Sequence, residues 1–340
     1  MKFSAVITQP EFDELLRPKL RLFLSVDVVG SANFKNRRRS AGSPGSQEWL
    51  TFFVPFYNAF PNIFTNAIGD LARARGIRPP ATPDLWKSLG DELLFTTELV
   101  RTTDADFYLT AFRDAINLAV THFASTPAGN SPVALKGGAW LAGFPVTNAA
   151  VPLKVHHGDA ATLFDYVGPQ VDLGFRIRAL ATPRKLVMSC DLAYLILTAC
   201  PDTSLDLRFF GREKLKGILG GKPYPIFWAN TLDGPAADTG TAALATLEDA
   251  VSPVTAPRDH AAILAFATAY LESLGGRFYA PFIAADPHPG LPQPDSYEES
   301  LHAVADLLAS VLFIRSAAEE SGEETVPSYI DHWQPPSQHP

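Results

Sequence analysis

The chain has 340 residues, and its 28 lysines and arginines against 36 aspartates and glutamates give a net charge of −8. Hydrophobic residues make up 46% of the sequence and charged residues 19%, a balance that supports a substantial core and excludes a disordered chain. Net acidity argues against a protein that wraps a nucleic-acid polymer, which needs a basic face. No apolar run approaches the ~20 residues that cross a bilayer, and the first residues lack the apolar segment of a signal peptide. We therefore expect a soluble, cytoplasmic protein that binds neither membranes nor nucleic-acid polymers.

The first strong element is a strand over residues 21–31, where leucine, phenylalanine and valine form a nearly continuous apolar run. Such a run is typical of a strand that is buried on both faces. Asp27 interrupts the run near its end, and a buried carboxylate is costly unless it is paired or bound to a cation. Gly30 and Ser31 then open a polar loop, rich in Gly, Ser and Pro, that continues to residue 47.

Aromatic residues follow at helical spacing, and Pro55 and Pro61 predict that this helix is broken into two pieces between residues 47 and 75. A hairpin comes next, with Gly90 and Asp91 at its turn. The later chain alternates helices and strands, which predicts an α/β or α+β domain of about 230 residues. The remaining predicted elements are a helix over 104–123, a strand over 133–141, a helix over 168–182, a strand over 185–189, a helix over 190–200, strands over 205–211, 213–218 and 224–230, and helices over 258–274 and 297–318.

Asp27 and Asp91 are the strongest candidates for chemistry. If the first strand pairs with the hairpin, their carboxylates meet at one edge of the sheet beside Gly30 and Ser31. Two carboxylates next to free backbone N–H groups suit divalent cations that hold a triphosphate. The alternative is structural, with Asp91 as an ordinary turn residue and Asp27 as a cap of the loop.

Two further pairs of charged residues stand out. Asp172 and Arg176 are four residues apart and share one helical face, where the alternative is a surface ion pair. Lys214 and Lys216 lie on a predicted late strand, where the alternative is a solvent-exposed face.

These four segments, in this order, resemble class III nucleotidyl cyclases over residues 21–230. DVVGS is similar to the family's metal-binding aspartate and phosphate loop, and WKSLGDELLF is similar to its hairpin with a base-reading lysine and a second metal-binding aspartate. FDYVGPQVDLGFRIRA resembles the segment that carries a base-reading acidic residue, an asparagine and the arginine that stabilises the transition state. KLKG resembles the segment with the late lysine that contacts the terminal phosphates.

The resemblance implies an α+β fold with a ferredoxin-like βαββαβ core, a long loop after the first strand and a C-terminal helical extension. It also implies two Mn²⁺ or Mg²⁺ ions per site. In the family the metal ligands and the transition-state residues come from opposite subunits, which implies a homodimer with its sites at the interface. The implied metal ligands are Asp27, Val28 and Asp91, the implied substrate contacts are Val29, Gly30, Ser31, Lys87 and Asp165, and the implied catalytic residues are Arg176, Lys216 and Asp172.

Several positions depart from the common pattern of the family, and together they most resemble the Pycsar pyrimidine cyclases of bacterial anti-phage defence. Asp172 stands at the asparagine position, Phe175 stands where small residues are usual, and Trp86 precedes the hairpin lysine. Because a pyrimidine is smaller than a purine, Trp86 and Phe175 are candidates to fill the remaining space. Tyr57 is a candidate base or ribose contact, and core packing is the alternative for each aromatic residue.

The resemblance therefore implies conversion of UTP into 3′,5′-cyclic UMP and pyrophosphate, with the product read by a separate effector protein. Hydrogen-bond logic at Lys87 and Asp165 permits adenine, cytosine or uracil, so a cytidylate or adenylate cyclase is an alternative. A catalytically silent, cyclase-like module that binds nucleotide is a third alternative, and Asp172 is its main support.

The expected organisation is a catalytic domain over residues 1–235 and a C-terminal helical extension over 236–340. An apolar stripe on each C-terminal helix predicts packing on the core or on the dimer partner, as a brace or a lid. The last residues are expected to fray.

Overall fold

The computed structural model describes residues 6–31, 48–124, 134–153, 163–233, 259–274 and 296–315, together with residues 247, 250 and 283. Most of the expected polar loop, the small-residue segment that follows residue 235 and the tail expected to fray lie outside the described residues. The elements in chain order are β1 (Val6–Thr8), α1 (Gln9–Leu16), β2 (Lys19–Val28), α2 (Glu48–Ala74), β3 (Asp84–Leu89), β4 (Glu92–Glu98), α3 (Asp104–Ala124), β5 (Leu135–Phe144), β6 (Ala149–Leu153), β7 (Leu163–Val167), α4 (Pro169–Ile177), β8 (Lys185–Met188), α5 (Cys190–Ala199), β9 (Leu207–Glu213), β10 (Tyr224–Asn230), α6 (His260–Ser273), α7 (Tyr297–Val311) and β11 (Phe313–Arg315).

A seven-stranded sheet lies at the centre of the described part of the chain, in the order β3-β4-β2-β5-β8-β10-β9. β2 lies between β4 and β5 and is antiparallel to both, whereas β5 and β8 are parallel. From β2 to β5 the chain runs strand, helix, strand, strand, helix, strand, and the order of these four strands is that of a ferredoxin-like βαββαβ core. The predicted α+β fold with this core is therefore confirmed.

The two faces of the sheet carry different side chains because residues alternate along β2. Phe95, which pairs with Leu24 across β2 and β4, packs against Phe60 of α2. On the opposite face, Phe23 stacks on a tryptophan of β5. Asp27 shares this second face, which is the face that α4 covers.

The aromatic segment forms one continuous helix, α2, so the prediction of two pieces is wrong. Pro55 and Pro61 lie inside this helix, where each proline costs ~3 kcal/mol. The helix continues because its phenylalanines are buried against β4 and α3, and burying each such ring stabilises the fold by about 1.5–3 kcal/mol. The buried rings are those of Phe52, Phe53, Phe56, Phe60 and Phe64.

Two glycines let α4 approach β5 closely. A Cβ atom at Gly174 would overlap the indole of Trp140, and one at Gly138 would overlap Arg178. The helix predicted over 168–182 is confirmed for residues 169–177, after which the 3₁₀ turn Arg178–Leu180 leads the chain back to β8.

Other local predictions differ from the structure. Residues 213–218 are not a strand, because β9 ends at Glu213 and the positive φ of Gly217 turns the chain just after Lys216. The last helix ends at Val311 rather than at 318, because residues 313–315 pair with β1 as a parallel strand. The sequence patterns did not predict β1 or α1, although Thr8 and Glu11, which form a capping box at the start of α1, were a usable signal for that helix.

The C-terminal helices contact several parts of the rest of the chain. Phe266 of α6 packs against Phe209 of β9 and Phe227 of β10. Leu308 of α7 contributes to a separate small cluster around Phe12 of α1. Among the described residues, no helix combines the length and the hydrophobicity needed to cross a bilayer.

Candidate active site

The end of β2 and the tip of the β3–β4 hairpin bring Asp27 and Asp91 together. The register places Asp27 opposite Glu92, the first residue of β4, and Gly90 adopts a φ of 68° that turns the chain just before Asp91. The two carboxyl groups lie within hydrogen-bonding distance of each other. This is the convergence that pairing of the first strand with the hairpin predicts.

The surroundings of Asp27 disfavour its charged form. Burial raises the pKa of the Asp27 carboxyl, and the nearby Asp91 charge adds to the rise. Lys136 opposes the rise in this pKa, because its ammonium lies 3.1 Å from Oδ2 of Asp27. Crowding of two carboxylates is the kind of electrostatic conflict that a bound cation relieves.

The loop after β2 holds Ser31 against these carboxylates. The Ser31 hydroxyl donates a hydrogen bond to Oδ2 of Asp91. The Val29 amide instead donates to the Ala134 carbonyl at 2.9 Å and so extends the pairing of β2 with β5. The expectation that Val29 offers a free phosphate donor is therefore corrected, and Gly30 and Ser31 are kept as candidates.

The two residues expected to read the base contact each other. Nζ of Lys87 on β3 lies 2.6 Å from Oδ1 of Asp165 on β7, and 3.9 Å from the centroid of the Trp86 ring. About a quarter of the Lys87 side chain and a third of the Asp165 side chain are exposed (27% and 34%). A ligand that offers its own donor and acceptor can therefore reach and exchange with this pair.

Aromatic rings line the same region. Trp86 packs edge-on against Tyr166 and contacts Phe175 of α4. All three rings are half-buried at the edge of the main core, so they have a packing role whatever else they contact. Tyr57 of α2 lies near the carboxylates instead: burial raises the pKa of its hydroxyl, and the Asp91 charge adds to the rise.

The three residues expected to act on the phosphates and the ribose are exposed. Asp172 and Arg176 lie one turn apart on α4, and Lys216 lies in the turn that follows β9. In the described part of a single chain, the structure does not bring them into contact with Asp27.

A polar cluster beside Asp27 was missed by sequence reasoning. The buried carboxylate of Glu92 accepts hydrogen bonds from the Ser25 hydroxyl and from the Arg178 guanidinium. Together with Asp27 and Lys136, these residues line a cavity of about 190 Å³ between the sheet and the end of α4. Strand alternation in the hairpin was a usable signal for Glu92, whereas the position of Lys136 depends on the β2–β5 register, which no local pattern specifies.

The oxygen atoms at this site suit a hard divalent cation. Asp27 and Asp91 offer carboxylate oxygens, and Val28 offers a backbone carbonyl next to Asp27. Mg²⁺ and Mn²⁺ prefer such ligands. No group of three or more His, Cys, Asp or Glu side chains that could hold a metal occurs among the described residues, so the remaining ligands of an ion here would be water or substrate phosphates.

A buried amide network fixes the start of α4. Oδ1 of Asn148 accepts hydrogen bonds from the backbone N–H groups of Gln170 and Val171. The Gln170 side chain in turn donates to the buried Asp191 carboxylate of α5 at 3.4 Å. The helix that carries Arg176 is thus tied to the turn between β5 and β6 and to α5.

No protein-family model matches the sequence, and no curated protein matches it. Among solved structures, the chain is similar to the adenylyl cyclase CyaB from P. aeruginosa, with 14% identity and a TM-score of 0.43 over 63% of this chain and 94% of that one. It is similar to the guanylate cyclase domain of RhGC from Catenaria anguillulae in complex with GTP, with 13% identity and a TM-score of 0.42 over 63% and 97% of the chains. It is also similar to the adenylate/guanylate cyclase/hydrolase from Silicibacter pomeroyi, with 14% identity and a TM-score of 0.40 over 63% and 97% of the chains.

Proposed function

We propose that this protein is a nucleotide cyclase that converts UTP into 3′,5′-cyclic UMP and pyrophosphate. The observation that carries the proposal is the contact between the Asp27 and Asp91 carboxyl groups, beside Gly30 and Ser31. The sequence resemblance set out above supports the same reading.

Asp27, Asp91 and the Val28 carbonyl would hold two Mn²⁺ or Mg²⁺ ions. When bound, the ions would lower the pKa of the ribose 3′-hydroxyl and neutralise charge on the triphosphate. Gly30, which is exposed, would offer its backbone N–H to the phosphates, and the Ser31 hydroxyl would hold Asp91 in place through its hydrogen bond.

The reaction forms one phosphorus–oxygen bond and breaks another. The ribose 3′-oxygen attacks the α-phosphorus, the bond from that phosphorus to the oxygen bridging to the β-phosphate breaks, and pyrophosphate leaves with the electron pair. The hydroxyl proton passes to water. Arg176 would place a permanently charged guanidinium on the crowded α-phosphate, and Lys216 would hold the leaving pyrophosphate. Asp172, one turn before Arg176, would accept hydrogen bonds from the ribose.

The exposure of these groups supports a head-to-tail homodimer. Arg176 and Lys216 are exposed on a single chain and do not contact its own carboxylates in the described residues. A two-fold arrangement allows each chain to give its Arg176 and Lys216 to the metal site of the other. The proposed dimer would therefore have two shared sites.

Uracil is the base that we favour. Trp86, Tyr166 and Phe175 form a wall of aromatic rings next to the Lys87–Asp165 pair, and such bulky side chains favour the smaller pyrimidine over a purine. The same pair can donate to a carbonyl oxygen of uracil and accept from its N3–H. Because Tyr57 lies near Asp91, it would contact the ribose or the phosphates.

A direct test is to incubate the purified protein with Mn²⁺ and each of the four ribonucleoside triphosphates separately, and to identify products by mass spectrometry. Cyclic UMP as the main product supports the proposal. Cyclic CMP or cyclic AMP would reassign the substrate but keep the reaction, and absence of any cyclic product would favour the silent module. An Asp27→Asn variant controls for contaminating cyclases.

The resemblance to the Pycsar cyclases supports a cellular role in anti-phage defence, with cyclic UMP read by a separate effector protein. Expression of the protein together with the proteins encoded beside it should reduce the number of phage plaques. The Asp91→Asn variant should not. If the wild type and the Asp91→Asn variant protected cells equally, defence would not depend on nucleotide cyclisation.

A further inference from the structure

Lys136 binds a carboxylate oxygen of Asp27 that a metal ion at the proposed site would also need. The register pairs Lys136 of β5 directly with Asp27 of β2. Its Nζ lies 3.1 Å from Oδ2 of Asp27, and about a quarter of each side chain is exposed (27% and 23%). The ammonium is therefore a resident cation at the place where a divalent ion is proposed to bind.

A lone pair that accepts a hydrogen bond from an ammonium is not free to coordinate a metal. Asp91 also crowds Asp27, and Lys136 is the cation in direct contact with the Asp27 carboxylate, whereas the nearby Arg178 guanidinium acts on it through its charge. We infer that Lys136 is a competing cation, which holds Asp27 in the metal-free protein and is displaced from Oδ2 when a divalent ion binds. This inference rests on the proposed function, because it assumes that Asp27 is a metal ligand.

The displaced ammonium has a second place to go. Lys136 and Glu92 line the same cavity of about 190 Å³, so the lysine can leave Asp27 without leaving the cavity. The Glu92 carboxylate, which already binds Ser25 and Arg178, offers further acceptor capacity there. A lysine that pairs with one carboxylate and shares a cavity with a second is suited to move from the first to the second when a metal binds.

The competition lowers the affinity of the empty site for a divalent ion, and this can be measured without any turnover. We would titrate the full-length protein with Mn²⁺ alone, without nucleotide, and follow free Mn²⁺ by electron paramagnetic resonance. Lys136→Met should bind Mn²⁺ about two- to fivefold more tightly than the wild type, as expected when a partly exposed ion pair no longer competes. Lys136→Gln, which is neutral but still polar, should change the affinity in the same direction and serves if the Met variant does not fold.

Two controls separate direct competition from a general effect of charge. Lys19→Met removes a lysine that is also paired with a carboxylate, Glu14, at the opposite end of β2, about 26 Å along the strand; it should bind Mn²⁺ like the wild type. Arg178→Gln removes a positive charge from the same cavity but keeps a donor for Glu92, and it should tighten binding less than Lys136→Met does. Equal effects of the Lys136 and Arg178 variants would overturn the inference, as would unchanged or weaker binding by Lys136→Met.

Asp27→Asn distinguishes this inference from the function on which it rests. If Asp27→Asn binds Mn²⁺ as well as the wild type does, the proposed metal site itself is wrong. If Asp27→Asn loses binding while Lys136→Met binds like the wild type, the metal site stands and only the competing role of Lys136 fails.

Discussion

Two carboxylates crowded at the end of a strand repel each other, and burial disfavours the charged form of Asp27 still further. A neutral side chain at either position would relieve the repulsion without a cation. Residues that oppose stability in this way are typical of sites where a ligand offsets the conflict. The crowding of Asp27 and Asp91 is therefore better explained by cation binding than by the structural roles of a turn residue and a loop cap.

Asp91→Asn separates function from stability at this site. The amide keeps an acceptor for the Ser31 hydroxyl but removes one of the two charges, so cyclase activity should fall at least about 100-fold while the melting temperature stays equal or rises. Asp84→Asn is the matched control on the same hairpin, because its side chain is 84% exposed, and it should keep full activity. Steady-state assays and thermal melts would check both variants. Full activity in Asp91→Asn would contradict the metal-binding role.

Asp191 is another buried carboxylate, and it lies outside the proposed set of metal ligands. Burial raises its pKa from 3.8 to about 6, although hydrogen bonds from Ser189 and from the Leu192 amide oppose the rise. Because the pKa in the folded state is above that in the unfolded state, this group stabilises the fold most below about pH 4 and loses that contribution as the pH rises through about 6.

Asp191→Asn should therefore stabilise the protein in a pH-dependent way. The amide keeps the acceptor for Ser189 but does not titrate. The free energy of unfolding of the variant minus that of the wild type should therefore be about 2–3 kcal/mol larger at pH ~8 than at pH ~4. Urea denaturation at the two pH values gives this difference directly. A variant whose relative stability is the same at both values would show that the carboxyl titrates normally.

At the scale of elements, local sequence patterns predicted those helices and turns whose formation depends on nearby residues. The hairpin is marked by Gly90 and Asp91, and α3 by its apolar spacing, and both lie within a few residues of their predicted bounds. The continuity of α2 through Pro55 and Pro61 could not be predicted, because it depends on rings buried against β4 and α3. The pairing of β1 with β11 joins the two ends of the described chain, and no short-range signal specifies such a contact.

The packing of α4 on β5 gives a prediction at this scale. Gly174→Ala would drive a methyl group into the Trp140 indole, and we expect a loss of about 2–3 kcal/mol in the free energy of unfolding. Gly69→Ala is the matched control in α2, where a Cβ atom meets nothing within 4 Å, and it should stabilise the protein by up to about 1 kcal/mol. Chemical denaturation of both variants measures the contrast. Equal stability of the two variants would mean that α4 can move off β5 without cost.

For the molecule as a whole, the sequence located the two aspartates because a strand and the next hairpin are neighbours in most sheets. It did not locate Lys136 beside Asp27, because the register of β5 is set by the complete sheet. Val29 was misjudged for the same reason, since its amide is taken up by pairing with Ala134. The boundary near residue 235 stays a prediction, and the contact of Phe266 with β9 and β10 argues that α6 folds together with the core.

The proposed shared site would be a property of the whole assembly, and mixing variants tests it. Asp27→Ala breaks the metal side of both sites in its homodimer, and Arg176→Ala breaks the opposite side, so each variant alone should be inactive. When the two chains are co-assembled at equal amounts, half of the dimers are mixed and each contains one intact site, which predicts recovery of about a quarter of wild-type activity. Co-assembly of Asp27→Ala with Asp91→Ala is the control and should recover nothing, because each site then lacks one metal ligand. With dimers verified by light scattering, failure of the first pair to recover activity would show that each chain builds its site alone.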